Sequence, residues 1–212
     1  DVEKCILKIH TMKNIFILML LGLFAMQPAY AQHDTTAIKK DIAAFQKQIQ
    51  DEFANPIISP LKEDQRKSFK GIQFFPVNLN YVVPARFIKT NSTEVFTMET
   101  SSHKVKKYYL YAKAIFQIDG KTCSLNVYQS LDLKEKKGFE NYLFIPFRDA
   151  TSGKETYGGG RYIDLEIPAT GEITINFNKA YQPNCAYTEG FNCPIPPAEN
   201  TLPVAIYAGV KM

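Results

Sequence analysis

Apolar positions near the start of the chain follow one face of a helix. Between positions 35 and 55 they recur every three or four residues, separated mostly by polar and charged residues: Ile38, Ile42, Phe45 and Ile49. This spacing predicts an amphipathic helix of about five turns that begins near Thr35 or Thr36 and ends at Asn55-Pro56. Because the apolar stripe is one face wide, we expect the helix to lie against the rest of the domain.

A shorter helix is predicted directly afterwards. Ser59 is a suitable capping residue, Pro60 fits the first helical position, and Glu63 places a negative charge early in the helix. We expect this second helix to end near Gly71.

From position 74 onward the apolar period changes to two, which indicates strands. In the clearest example, at 108–128, two alternating runs flank Asp119-Gly120, a strong hairpin turn. With this turn, the side chains of one face form apolar or thiol pairs: Phe116 with Cys123, Ala114 with Leu125, and Ala112 with Val127. The other face then carries mostly polar and tyrosine side chains, so turn and pattern predict the same register.

A second hairpin is predicted around the Pro-Ala-Thr-Gly segment at 168–171. An apolar inner face results from three pairs: Ile163 with Phe177, Leu165 with Ile175, and Ile167 with Ile173. On the outer face, this register brings four polar side chains together: Tyr162 beside Asn178, and Asp164 beside Asn176.

Further alternating runs predict strands at five places: 94–99, 142–147 and 203–208, and more weakly 79–83 and 85–89. The fold class is therefore mainly β (α+β), an antiparallel sandwich or partly closed barrel of seven or eight short strands with an N-terminal helix and a short second helix. The predicted organisation is an upstream extension plus signal peptide at 1–31, an N-terminal helix at 32–58 and a single β-rich domain at 59–212.

The first segment resembles a secretory signal peptide. Met12 and Lys13 give a charged start, 15–26 is an apolar run of about a dozen residues, and Ala29 and Ala31 supply the small-x-small pattern of a cleavage site. The run is too short for a bilayer, which needs about 20 apolar residues. We therefore expect an exported protein, periplasmic or secreted after cleavage near Ala31, with no membrane span in the mature chain.

The net charge of the chain does not indicate a particular class of macromolecular partner. Removing residues 1–31 takes away three lysines and two acids, so the formal charge falls from +4 to +3. Nucleic-acid binding normally requires a clustered basic stripe, whereas the lysines at 134–137 are interspersed with acidic residues. We expect a monomer that binds no nucleic acid.

Three polar segments in the second half of the chain resemble a family signature. They read PFRDATSGKETYGGGRYIDL at 146–165, NFNKAYQPNCAY at 176–187 and CPIPPAENTL at 193–202. These segments are similar to the motifs of an uncharacterised bacterial and archaeal family, domain of unknown function 1684, of which this chain resembles an exported bacterial member. Asn176 replaces an acid of the family pattern, and Val210 replaces a glutamate. The resemblance implies no substrate or cofactor.

The same segments supply candidate ligand-binding side chains. An arginine offers a planar fork of donors that matches a carboxylate or phosphate, and tyrosines can close an aromatic pocket. The candidates are Arg148, Tyr157, Arg161, Tyr162, Asp164, Asn178, Tyr181, Glu199 and Asn200. The alternative is structural, with Arg148 and Arg161 forming internal ion pairs with Asp149 and Asp164 that fix loops.

Cys185 and Cys193 lie on either side of a short loop. In an oxidising compartment they could form a disulfide, which would contribute roughly 2 to 3 kcal/mol. Two buried free thiols and a zinc site are the alternatives, although zinc usually needs four ligands and His33 and His103 lie in a terminus and a polar turn. We expect no metal site and no cofactor, and we expect Cys123 to face the core as a free thiol.

Catalytic motifs are weak in this sequence. It contains no G-x-S-x-G motif, so a hydrolase would depend on carboxylates, with Asp149, Asp164 and Glu199 as candidates. The leading hypothesis is an exported β domain that binds a small molecule, with an anion as one option for the ligand. The alternatives are a carboxylate-dependent hydrolase and a structural or interaction module without a pocket.

Overall fold

The computed structural model describes residues 35–212. The predicted signal peptide and its cleavage site at Ala31 lie outside these residues. Within the described range, no helix has both the length and the apolar character that crossing a membrane requires.

Two helices precede the strands, as the sequence predicts. Helix α1 covers Thr35–Ala54, and its buried residues Ile42, Ile49 and Phe53 lie on the predicted face. Helix α2 covers Glu63–Ser68 and is shorter than predicted at both ends. Ser59 does not cap it, because its hydroxyl donates to the carbonyl of Phe53 at 2.6 Å and thereby closes the end of α1.

Seven strands form one curled antiparallel sheet. They are β1 (Val82–Lys89), β2 (Val95–Glu99), β3 (Val105–Ile118), β4 (Lys121–Ser130), β5 (Tyr142–Phe147), β6 (Arg161–Glu166) and β7 (Glu172–Asn176), with a short helix α3 (Leu131–Lys134) after β4. Their order is β6-β5-β4-β3-β1-β7, and β2 pairs with β3. Residues 167–171 connect strands at opposite ends of this order, so the sheet must curl into a half-barrel to bring its edges together.

The predicted β3–β4 hairpin is confirmed. Its three predicted pairs, including Phe116 with Cys123, are cross-strand partners. The turn residues Asp119 and Gly120 both have positive φ angles, 50° and 71°, which a type I′ hairpin turn requires. The turn therefore fixes the register that the side-chain pattern predicts.

The predicted hairpin around 168–171 is wrong. Strand β6 pairs with β5 and β7 pairs with β1, so Asp164 lies opposite Phe144, and Asn176 lies opposite Val82. The inward-facing Ile163 is nevertheless buried in the same core as residues of β7. The short connection resembles a hairpin turn, but it joins the two edges of the curled sheet.

The strand predicted at 203–208 is also wrong, although its alternating burial is present. Val204, Ile206 and Ala208 are buried, yet this segment pairs with no named strand. The guanidinium of Arg161 donates to the carbonyls of Ile206 and Ala208 at 2.9 and 2.5 Å. Side-chain donors thus satisfy carbonyls that a neighbouring strand would otherwise bind.

The sheet separates an inner core from an outer aromatic layer. The inner core fills the half-barrel with apolar residues of β1 and β3–β7 and of the extended segment near the C-terminus. The outer layer contains Met98, Tyr108, Tyr128, Phe144 and Tyr162. Because strand side chains alternate between faces, β4, β5 and β6 contribute to both layers. In β3, the irregularity between Leu110 and Ala112 places Tyr108 in the outer layer and Ala112 in the inner core.

Candidate functional site

A cavity opens on the outer aromatic layer. Its volume is about 360 Å³, which falls within the usual range of small-molecule sites. Six aromatic side chains line it: Tyr108, Tyr142, Phe144, Tyr162, Tyr181 and Phe191. We call this space the aromatic cavity.

The wall of the aromatic cavity is a row of rings in contact. Tyr108 and Phe144 are stacked, with ring centroids 5.9 Å apart and planes at 18°. Phe144 meets Tyr162 edge-on at 4.8 Å, and Tyr162 meets Tyr181 edge-on at 5.7 Å. Backbone hydrogen bonds of 2.8 and 3.0 Å also connect Tyr162 and Tyr181, so the positions of these two rings follow from the backbone pairing.

Asp164 joins two tyrosines of this wall. The hydroxyl of Tyr142 donates to its carboxylate at 2.7 Å, and that of Tyr181 donates at 2.9 and 3.0 Å. Burial raises the pKa of Asp164, and these two hydrogen bonds partly oppose the increase. Burial and the neighbouring Asp164 raise the pKa of both phenols, so the tyrosines remain protonated donors.

Tyr162 fixes the loop that covers the cavity. Its hydroxyl donates to the carbonyl of Pro194 at 2.5 Å, and burial raises its pKa. The loop at 183–194 supplies further lining residues, including Asn184, Asn192 and Cys193. The ring wall and the loop therefore form opposite sides of one space.

A disulfide closes this loop. Cys185 and Cys193 are bonded, and Cys123 is a buried free thiol whose pKa is raised by burial. The predictions of a disulfide and of an inward-facing Cys123 are confirmed. The hydroxyl of Ser101 donates to the carbonyl of Phe191 at 3.0 Å and accepts from the amide of Cys193 at 3.1 Å, which ties the loop to the sheet.

Arg161 and Asp149 lie on the inner side instead. They form an ion pair at 2.7 Å, and neither side chain is exposed to solvent. Desolvation lowers the pKa of Arg161, while the adjacent Asp149 opposes that decrease. Its two terminal nitrogens donate to Asp149 and to backbone carbonyls, an arrangement that fixes the chain, whereas Nε has no hydrogen-bond partner among the described residues.

Arg148, Tyr157 and Glu199 lie in or beside the loops that flank β5 and β6. Arg148 donates to the carbonyls of Gly158 at 3.3 Å and Pro196 at 3.0 Å. Tyr157 is half-buried, whereas Glu199 is exposed. None of these three residues lines the aromatic cavity, and the arginine is bound to backbone within the described chain.

Asn178 and Asn200 are buried and bind neighbouring backbone. Asn178 accepts from the amide of Asn78 and donates to its carbonyl, both at 2.9 Å. Asn200 donates to the carbonyls of Asn126 and Pro146 at 2.9 and 2.7 Å. Both amides connect segments that are far apart in the sequence.

The candidate residues therefore do not line one surface. Tyr162 and Tyr181 line the aromatic cavity, and Asp164 is bound to Tyr181. The other candidates lie outside the lining. Five lining residues were not among the sequence-based candidates: Lys106, Tyr108, Tyr142, Phe144 and Phe191. The outward alternation of Tyr142 and Phe144 along the predicted strand at 142–147 was the available signal. Among residues 35–212 no cluster of at least three histidine, cysteine or acidic side chains is arranged to hold a metal ion.

Comparisons with known proteins extend the fold assignment. The chain matches the solution NMR structure of an uncharacterized protein of Haloarcula marismortui at 33% identity, with a TM-score of 0.66, over 84% of this chain and 96% of the other. No match was found among curated proteins. The family model described as "Protein of unknown function (DUF1684)" matches residues 67–211. The chain belongs to this DUF1684 family.

Proposed function

We propose that the chain binds a small organic molecule in the aromatic cavity. The observation that carries this proposal is a space of about 360 Å³ bounded by a row of rings and by a cross-linked loop. Apolar walls with a few polar groups are typical of small-molecule sites. Here the polar groups are the phenols, Lys106, Ser130 and two asparagines.

The rigidity of the walls supports this proposal. The disulfide and Ser101 hold the loop, while Tyr142 and Tyr181 are oriented by Asp164. A site whose walls are already ordered loses less conformational entropy when a ligand binds. We expect binding to cause little movement of the backbone.

Hydrolysis by paired carboxylates has less support. Among the described residues, no carboxylate lines the cavity, and Asp164, which is outside this lining, accepts hydrogen bonds from Tyr142 and Tyr181. Asp149 is buried against Arg161, and Glu199 is exposed outside the cavity. We therefore propose binding without turnover.

The disulfide also supports a proposal about location. Disulfides persist mainly in oxidising compartments, and Cys185–Cys193 closes a wall of the site. We propose that the chain works after export, in the periplasm or outside the cell.

A fragment screen tests the proposed binding. Ligand-observed NMR with an equal mixture of acidic, basic and neutral ring compounds should identify binders. Asn184→Trp should block them, because Asn184 lines the cavity. Asn91→Trp, in an exposed loop, should not. Absence of any binder, or equal binding by both variants, would contradict the proposal.

A further inference from the structure

The hydrogen-bonding groups of the aromatic cavity indicate the charge of its ligand. We infer that the cavity binds a ring compound with one carboxylate, the ring lying on the aromatic wall and the carboxylate near Lys106, Tyr108 and Ser130. This inference rests on the proposed function and names the class of ligand.

Three tyrosine hydroxyls of the cavity already donate hydrogen bonds within the protein. Tyr142 and Tyr181 donate to Asp164, and Tyr162 donates to the carbonyl of Pro194. A phenol has one proton to donate. On this side of the cavity the rings therefore offer apolar faces and oxygen lone pairs, which suit the body of a ligand better than an anionic group.

The Tyr108 end of the ring row carries donors that are still available. Tyr108 is only 4% exposed, and its hydroxyl has no hydrogen-bond partner in the described part of the chain. Its oxygen is not fully enclosed, because the buried side-chain atoms without a partner in the described chain belong to Arg161 and Gln182. The hydroxyl can therefore donate to an acceptor in the cavity. Because Tyr108 lines the cavity, its ring also forms the start of the aromatic wall.

The β3–β4 register places two more donors beside Tyr108. Ser130 is its direct cross-strand partner, and Lys106 lies two residues earlier on the same face of β3. Ser130 accepts from the amide of Leu133 at 3.3 Å, which leaves its proton free. Lys106 forms no ion pair among residues 35–212, so an ammonium and two hydroxyls are available to one acceptor group.

A single negative charge fits this set. Lys106 is the one charged side chain among the described residues that line the cavity. Burial raises the pKa of Tyr108, and the negative charge of Asp132 adds to this increase. A dianion such as phosphate would meet repulsion from Asp132, with only one cation in the described lining to balance it. A carboxylate is the common organic group with one negative charge and two acceptor oxygens.

Three probes of similar size test the ligand class. Phenylacetate, phenylacetamide and phenethylamine are titrated separately against the protein, and binding is followed by chemical-shift changes of cavity residues. We expect phenylacetate to bind about tenfold more tightly than phenylacetamide, since hydrogen bonds to charged groups are the stronger ones. Phenethylamine should bind most weakly.

Matched variants assign the preference to Lys106. Lys106→Gln should remove the preference for phenylacetate over phenylacetamide. Lys107→Gln changes the next residue, which is outside the cavity lining, and should leave that preference unchanged. Asp132→Asn should strengthen binding of phenylacetate but not of phenylacetamide. An unchanged preference in Lys106→Gln would overturn the inference.

The outcomes separate the inference from the proposed function. Equal or tighter cavity binding by the amide or the amine overturns the ligand class and leaves small-molecule binding intact. If none of the three probes binds, the charges of the cavity binders in the fragment screen decide: a majority of acidic binders supports the inference, and a majority of neutral or basic binders overturns it. A screen without any cavity binder overturns both proposals.

Discussion

Arg161 and Asp149 form a fully buried ion pair in which the arginine Nη2 lies 2.7 Å from the aspartate Oδ2. The same guanidinium donates to the carbonyls of Ile206 and Ala208. One side chain thereby binds the segment near the C-terminus to β6 without a strand ladder. The interior of the half-barrel depends on this pair.

Asp149→Ala should lower the free energy of unfolding by about 3 to 5 kcal/mol, because it leaves a buried guanidinium without its counter-charge. Urea denaturation measures the loss. Asp51→Ala is the control, since it breaks the exposed Lys47–Asp51 pair and should cost less than about 1 kcal/mol. Similar losses for the two variants would contradict the structural role of the buried pair.

Gly209 should tolerate alanine much less well than Gly138. Both residues have positive φ angles, 78° and 88°, so alanine costs roughly 1 to 2 kcal/mol at either site. At Gly209 the added Cβ would also lie 2.4 Å from the carbonyl oxygen of Ala180, whereas at Gly138 it meets nothing within 4 Å. Thermal unfolding should show a larger decrease in melting temperature for Gly209→Ala than for Gly138→Ala. Equal decreases would contradict the close contact at Gly209.

Asp164 should titrate above the usual range of an aspartate. Because burial raises its pKa in the folded protein, the folded chain binds this proton more tightly than the unfolded chain. The contribution of Asp164 to stability therefore falls as the pH rises from the ordinary aspartate pKa through the folded one. Asp164→Asn should make the slope of the unfolding free energy against pH more positive in that window, and a more negative slope would contradict the account.

The same carboxylate reports on its tyrosine partners. Tyr142→Phe removes a hydrogen bond that favours the charged form, so the pKa of Asp164 should rise further. Carbon-13 NMR of the carboxyl group measures the change. A lower pKa in Tyr142→Phe would show that the hydrogen bond does not act on Asp164 in solution.

The disulfide should stabilise the loop more than the free thiol stabilises the core. Replacing both Cys185 and Cys193 with serine should lower the free energy of unfolding by about 2 to 3 kcal/mol in the chain-entropy model. Cys123→Ala, a small reduction in a buried side chain, should cost less. If non-reducing peptide mapping finds Cys185 and Cys193 unlinked, the closed loop is contradicted.

Local signals predicted much of the fold. The Asp119-Gly120 pair favours a two-residue hairpin turn, so the register of β3 and β4 follows from residues that are adjacent in the sequence. The helix face with Ile42 and Ile49 is likewise a local property of spacing. In both cases the residues that determine the structure lie close together in the sequence.

Long-range partners were harder to predict. The alternation at Ile163 and Ile175 correctly predicted burial, but a period of two does not identify which strand lies alongside. In the same way, the alternation at Ile206 and Ala208 predicted an inward face but not that Arg161 donates to their carbonyls. The aromatic cavity combines residues of β3, β4, α3, β5, β6 and the segment at 181–194, so its lining depends on tertiary pairing.

The most direct test of small-molecule binding uses ring resonances of the tyrosines. Protein with carbon-13-labelled tyrosine is titrated with the tightest binder from the fragment screen. We predict saturable shifts for Tyr108, Tyr162 and Tyr181, which line the cavity, and unchanged resonances for Tyr157 and Tyr207, which do not. Shifts at Tyr157 with none at Tyr108 would place the site elsewhere and contradict the account.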